Sequence, residues 1–266
     1  MTKGELFIGT SGWSYGHWLG VLYPEGLAQR KWLERYAEVF PTVELNVTYY
    51  RIPKASVFEG WRNRTPKGFR FAVKANKQIT HKQRLVDCGE VLDWFLEDSS
   101  ALGAKFGPLL VQLPPSFKKD AGVLDGFLRE LRKHPRGRRR RVAFEFRDES
   151  WLDDEVFEIL RKRRAAVCFA DHPKCGPTEP ATTEFIYVRR HGPGGRYRAN
   201  YPEQMLQADA TLIRSHLNAG RDVFVYFNND IEGHAVRNAA RLTEILTGRP
   251  PARLEPETPT SLPGMA

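Results

Sequence analysis

Short runs in which apolar and polar residues alternate recur along the whole chain, and stretches with helical spacing separate them. Eight such runs read as strands, near 6–13 (LFIGTSGW), 42–50 (TVELNVTYY), 69–76 (FRFAVKAN), 108–115 (PLLVQLPP), 141–148 (RVAFEFRD), 165–171 (AAVCFAD), 185–192 (FIYVRRHG) and 222–230 (DVFVYFNND). Their period is two, the mark of a pleated segment with one buried face. Helical patterns follow most of them. In LAQRKWLERYAEVF, Leu27, Trp32, Tyr36 and Phe40 fall on one stripe, VFEGWRNR gives a shorter case, and others lie near 86–103, 121–134, 151–164, 203–219 and 233–247. Only the sixth connection, HPKCGPTEPATTE, is too short and Pro-rich for a helix.

Strands that alternate with helices pair in parallel through right-handed crossovers. Eight of them in one chain of this length predict a (β/α)8 barrel that lacks a regular helix after its sixth strand. An open doubly wound sheet is the competing arrangement, and no G-x-G-x-x-G turn follows the first strand to support it. Residues 1–248 are expected to form one domain, and the Pro-rich, aperiodic residues 249–266 a flexible tail.

In a barrel one face of each strand packs on helices and the other faces the lumen. The apolar face must meet the helices, so parity assigns the rest. Glu44, Asn46 and Thr48 point inward from strand two, and Arg70, Ala72, Lys74 and Asn76 from strand three. Leu110 and Gln112 follow from strand four, and Ala143, Glu145 and Arg147 from strand five. Strands seven and eight supply Tyr187, Arg189, His191, Phe224, Tyr226 and Asn228. The polar members gather toward the C-terminal halves of the strands, the end at which barrels build active sites.

The formal charge of +9 invites a nucleic-acid partner. Seven of the basic residues lie in RKHPRGRRRR (132–141) and four in RKRR (161–164), and without them the chain is slightly acidic. Both runs follow a helix and precede a strand, so they decorate the N-terminal face and stand away from the expected site. A solvated charged surface is the plain reading. Nucleic-acid binding through Arg138, Arg139, Arg140 and Arg141 is the alternative. The three cysteines, Cys88, Cys168 and Cys175, make an odd count without a C-x-x-C pair, which points to a reducing, cytoplasmic setting. No signal-peptide core or membrane-length apolar run is evident, so no membrane is expected.

Seven segments occur in one order: IGTSGWSYGHW, VELNVTYYRIP, FRFAVKANKQITH, LLVQLPPSF, FEFRDESW, YVRRHG and VYFNNDIEGHAVRNA. Together, over roughly residues 6–247, the chain resembles the YecE-like family, barrels grouped as domain of unknown function 72. The resemblance implies the (β/α)8 fold and brings no reaction or substrate with it. Val47 and Tyr49 depart from it, standing where a small polar residue and a Phe are expected.

The lumen set suggests an enzyme for a small anionic or phosphate-bearing substrate. Glu145 and Glu44 are the candidate acid–base residues, with His191 as a second proton carrier. Lys74, Arg147 and Arg189 would hold the anion, because guanidinium grips an oxyanion through two parallel hydrogen bonds. Asn46, Gln112, Tyr226 and Asn228 would orient it, and Trp13 and Trp151 lie on the same rim. Gly192, Gly194 and Gly195, beside Arg196 and Arg198, offer backbone donors or simple tight turns. No cofactor is required. A divalent metal on Glu44, Glu145, Asp171 and His191 would instead give a phosphoesterase or nuclease, though three cations crowd that set. Two carboxylates facing each other would also suit glycoside cleavage. The opposite possibility is a self-compensating network of buried charges with no substrate.

Overall fold

The structure is a computed structural model that describes residues 3–173, 180–195, 197–251 and 254. Eight parallel strands, β1 (Leu6–Thr10), β2 (Thr42–Leu45), β3 (Arg70–Lys74), β4 (Phe106–Gln112), β5 (Val142–Glu145), β6 (Ala165–Ala170), β7 (Phe185–Arg190) and β8 (Asp222–Phe227), form one sheet. Their order is β1-β8-β7-β6-β5-β4-β3-β2, so every strand lies beside its sequence neighbours. Around them run α1 (Trp32–Val39), α2 (Val47–Tyr50), α3 (Ala55–Asn63), α4 (Gly89–Ser99), α5 (Ala121–Lys133), α6 (Asp154–Arg163), α7 (Glu203–Asn218) and α8 (His234–Thr247). Among the described residues no helix joins β6 to β7, and residues 174–179 of that connection lie outside them. Cys175, Arg196 and most of the expected tail lie outside the described residues. No helix among the described residues is long and apolar enough to cross a membrane.

The last seam, between β1 and β2, closes by different means. Ser11 and Glu44 form a single bridge, and the Gly12 amide donates to the Glu44 carbonyl at 2.9 Å. Below them the Tyr36 hydroxyl of α1 is inserted into the seam. It accepts from the Thr10 amide at 2.9 Å and donates to the Thr42 carbonyl at 2.9 Å. A β-carbon on Gly9 would stand 2.1 Å from that same carbonyl oxygen, which is why the seam requires glycine there. Tyr36 is fully buried, so Tyr36→Phe strands a donor and an acceptor without water. We expect it to cost about 1–3 kcal/mol in urea unfolding. A variant indistinguishable from wild type would mean that the phenol does not hold the seam.

The lumen is filled in layers, as in barrels generally. At the bottom Phe7 and Phe224 stack with centroids 4.6 Å apart, beside Phe185. The next layer holds Tyr187 and Tyr226, whose bulk is accommodated by Ala72, Ala143, Ala166 and Ala170 on other strands. A larger apolar core separates the barrel wall from its helices.

The second strand is shorter than its alternation suggests. It stops at Leu45. Asn46 takes helical dihedrals, and residues 47–50 form a single helical turn. Thr48 is therefore not a strand residue facing the lumen: its hydroxyl donates at the turn, to the Leu45 and Lys74 carbonyls. Apolar–polar alternation over four residues is common to a strand and to a short turn of helix, and here the hydrogen bonds favour the turn. As a result Tyr49 and Tyr50 are carried over the top of the barrel.

Candidate functional site

Five strands carry polar residues at or next to their C-terminal ends: Glu44 on β2, Lys74 on β3, Gln112 on β4, Glu145 on β5 and Arg189 on β7. Strand register places Gln112 beside Glu145, and Lys74 beside Leu110. The centre of the layer is Arg189, which is fully buried. Its Nε and Nη2 donate to Glu44 at 3.0 and 2.7 Å, and its Nη1 donates to Glu145. Glu44 also accepts from the Ser11 and Tyr187 hydroxyls at 2.7 and 2.6 Å. Glu145 accepts from Arg147 Nε and meets His191 Nε2 at 3.1 Å. A carboxylate only accepts, so Nε2 carries the imidazole proton, and Nδ1 is free to accept from Asn228 at 3.2 Å.

Burial alone would push both carboxyls up. For Glu44, Arg189 and the Tyr187 hydroxyl outweigh it and hold the group below its usual range. For Glu145, Arg189, Arg147 and His191 hold it well below. Both therefore stay ionised. Burial lowers His191 in turn, with Glu145 opposing and Arg189 adding, so the ring is neutral.

Above this layer opens a cavity of about 560 Å³, lined by Tyr15, Asn46, Tyr49, Tyr50, Lys74, Gln112, Arg147, Arg189, Tyr197 and Asn228. Two guanidiniums answer two carboxylates in the floor. Lys74 is the cation left over. Among the described residues its ammonium makes no hydrogen bond or ion pair, and it sits 4.5 Å over the Tyr49 ring. Burial pushes the amine down to about 8, with Arg189 adding and Glu145 and Glu44 opposing. The same field reaches His81, whose ring lies edge-on to Tyr49 at 5.0 Å. It is pushed down to about 4 by burial, then by Lys74 and Arg147. Asn46 Oδ1 is buried and, among the described residues, has no hydrogen-bond partner.

Residues 7–262 match the family described as "Protein of unknown function DUF72". The chain belongs to the DUF72 family. UPF0759 protein YunF of Bacillus subtilis (strain 168) is 30% identical to this DUF72 chain over 277 residues, covering 91% of the chain and 94% of the relative. UPF0759 protein YecE of Escherichia coli (strain K12) is 35% identical over 112 residues, 42% of this chain and 39% of that protein. The crystal structure of a DUF72 family protein from Thermotoga maritima MSB8 superimposes with a TM-score of 0.80 at 31% identity, covering 91% of this chain and 99% of that one.

In this DUF72 barrel, six residues expected from the sequence share the cavity wall: Lys74, Arg147, Arg189, Asn46, Gln112 and Asn228. Glu44, Glu145 and His191 lie beneath it, fully buried. Tyr226 is deeper still, its hydroxyl 2.7 Å from Thr42 Oγ1. Trp13 packs edge-on against Trp61. Trp151 is buried behind the wall, stacked on Phe146 at 5.0 Å and donating to the Phe117 carbonyl at 2.6 Å. These three side chains do not line the cavity: Tyr226 belongs to the lumen layer below it, and Trp13 and Trp151 pack against other aromatic rings. Asp153 caps the helix that follows, accepting from the Glu155 amide.

Tyr197 was not singled out from sequence. It belongs to the loop after β7 and accepts from Arg147 Nη1 at 2.7 Å, so the guanidinium is held from both sides. Nothing in the periodicity marks such a loop residue. The nearby glycines serve close packing, and their amides are engaged: Gly192 donates to the Tyr201 hydroxyl, and Gly195 to the Gly192 carbonyl. A β-carbon on Gly192 would meet the Arg198 carbonyl oxygen at 2.3 Å.

The residues do not fit a divalent metal. Among those described, no three His, Cys, Asp or Glu side chains are placed to hold an ion. Glu44 and Glu145 are turned onto guanidiniums, and Asp171 accepts from the His191 amide and the Tyr201 hydroxyl. The Arg189 guanidinium also fills the space between the two glutamates, where a glycosidic bond would have to lie.

Proposed function

We propose that this barrel is an enzyme that binds a small anionic or phosphate-bearing substrate in the cavity at its C-terminal mouth, with Lys74 as the residue that meets the anion. The supporting observation is the charge balance. The floor neutralises itself, and over it stands one amine that, among the described residues, makes no hydrogen bond or ion pair and lies 4.5 Å over the Tyr49 ring. Arg147 is fixed by Glu145 and Tyr197, with its Nη2 3.3 Å from His191 Nε2, so the guanidinium stands at the cavity wall already oriented, which strengthens an electrostatic contact at little cost in reorganisation.

In this reading the proton-carrier role passes from the glutamates to Lys74. A general acid or base works best when its pKa lies near the operating pH. Glu44 and Glu145 are locked in their ionised form and fully bonded, whereas the Lys74 amine, at about 8, exchanges its proton near neutrality. The two glutamates then act by positioning Arg189 and Arg147.

The test is inorganic phosphate as a probe of the cavity. Ligand bound only to the folded state raises the unfolding midpoint, by about 2.7 kcal/mol of added stability at one hundred times Kd. Phosphate should raise the midpoint of the wild-type protein and of Lys54→Met, a surface control. It should raise the midpoint of Lys74→Met by clearly less, because only the general effect of the anion on the fold and its surface remains there. If Lys74→Met responds as the wild type does, the anion does not sit on Lys74 and the proposal fails.

A further inference from the structure

The opposite end of the barrel carries a second concentration of chemistry. β5 and β6 are neighbours, so the segments that lead into them, 134–141 and the end of α6, lie side by side. Arg132 fastens them together. Its Nε and Nη2 donate to the Arg163 and Arg164 carbonyls at 2.9 and 2.7 Å, and its Nη1 to the Arg140 carbonyl at 2.8 Å. Two basic runs separated in sequence become one surface. It encloses a concavity of about 570 Å³. Residues 139–141 are shared with a narrower one of about 240 Å³ at the barrel's N-terminal mouth, where Arg70 of β3 joins them.

Two guanidiniums are held against aromatic rings. Arg140 lies 3.9 Å over the Phe106 ring, and Arg141 stands 5.6 and 5.7 Å from Phe185 and Phe224. Some of the charge is answered, since Arg163 is paired with Asp125 and Arg141 with Asp222. Arg138, Arg139, Lys162 and Arg164 are exposed, and among the described residues they make no ion pair or hydrogen bond through their side chains. Cations in the last turns of α5 and α6 have an ordinary role, to offset the negative end of the helix. Arg138 and Arg139 lie beyond α5 in the loop, where that account does not reach.

We infer that this N-terminal face is a binding surface for the phosphodiester backbone of nucleic acid. The inference is independent of the anion cavity at the other end of the barrel. Three features select this ligand. Nearly all the cations are arginine, whose planar fork matches phosphate oxygens. The surface joins two concavities through the shared residues 139–141 instead of forming a single pocket, which suits a chain of phosphates. No large exposed apolar side chain lines it, so it lacks the wedge that would enter a bilayer.

The experiment is fluorescence anisotropy of a labelled twenty-nucleotide oligo(U) against the full chain over a range of salt. Binding should weaken with salt at about 0.7 log units per phosphate engaged and per tenfold salt. Replacing Arg138, Arg139, Lys162 and Arg164 together with Gln should lower that slope by about 3 and the affinity more than tenfold at low salt. The pair Arg138→Gln and Arg139→Gln should remove about half of the slope change, and it guards against a folding defect in the fourfold variant. Thermal melts of both variants should match wild type. The inference is overturned if wild type fails to bind at low salt, if the variants bind as wild type does, or if anionic vesicles are bound and the oligonucleotide is not.

Discussion

Arg189→Met should lower the stability of the barrel by about 3–5 kcal/mol, the cost of leaving buried charge without its partner. Arg189 touches no water and is the shared counter-ion of two fully buried carboxylates. Without it Glu44 keeps only hydroxyl donors and Glu145 keeps Arg147 and His191, and the two acids repel each other across the lumen. The pH dependence should change sign as well. In the wild type Glu145 has a depressed folded pKa, so its contribution is present above the unfolded value of about 4.3 and is lost as pH falls through the folded one. In the variant burial dominates for Glu44 and raises its folded pKa above the unfolded one. Protonation then favours the fold, and the gap to wild type should narrow as the pH is lowered toward 5. Combining Glu44→Gln with Arg189→Met leaves Glu145 paired with Arg147 and should recover much of the loss. Urea unfolding at pH 7 and pH 5 measures both effects. A single variant within about 1 kcal/mol of wild type would contradict the network, since a loss of several kcal/mol is the signature of a broken buried pair.

Much of this layer was legible in the sequence. Period-two alternation assigns Glu44, Lys74, Gln112, Glu145 and Arg189 to the lumen without reference to any structure, and the barrel rule puts them at the active end. What alternation does not carry is pairing. Whether Glu145 faces a substrate or a guanidinium depends on which strand ends lie across the lumen, and strand order alone leaves the distances open. The aromatics were harder for a different reason. Trp151 follows a strand end closely, yet its ring turns back onto Phe146, and only the packing shows this. Tyr36 sits on a helical stripe that reads as ordinary core, while its hydroxyl does the work of a missing strand ladder. Tyr197 lies in a loop rich in glycine, where no period exists to read. The basic runs were visible as charge, but their union through Arg132 depends on β5 and β6 being neighbours.

Lys74→Met should make the protein more stable at pH 7 while it abolishes anion binding. The folded state holds the amine where burial and Arg189 disfavour its charge, with a pKa near 8 in place of the usual 10.5. Below about 8 the amine is charged in both states, and the folded state bears the full cost. Between about 8 and 10.5 the unfolded chain binds the proton more tightly than the folded one, so stability rises with pH in that window. Subtracting the variant from the wild type cancels every other titrating group. The difference should favour Lys74→Met by about 0.5–2 kcal/mol at pH 7, the usual gain when a residue kept for activity is replaced. It should close through that window. Sulfate, whose charge is constant over this range, should stabilise the wild type at pH 7 and progressively less above pH 8, as the ammonium that meets it loses its proton. A structural lysine would behave otherwise: its replacement would lower stability at pH 7, and sulfate would act on both proteins alike. That outcome would assign Lys74 to the scaffold and leave the cavity without its anion contact.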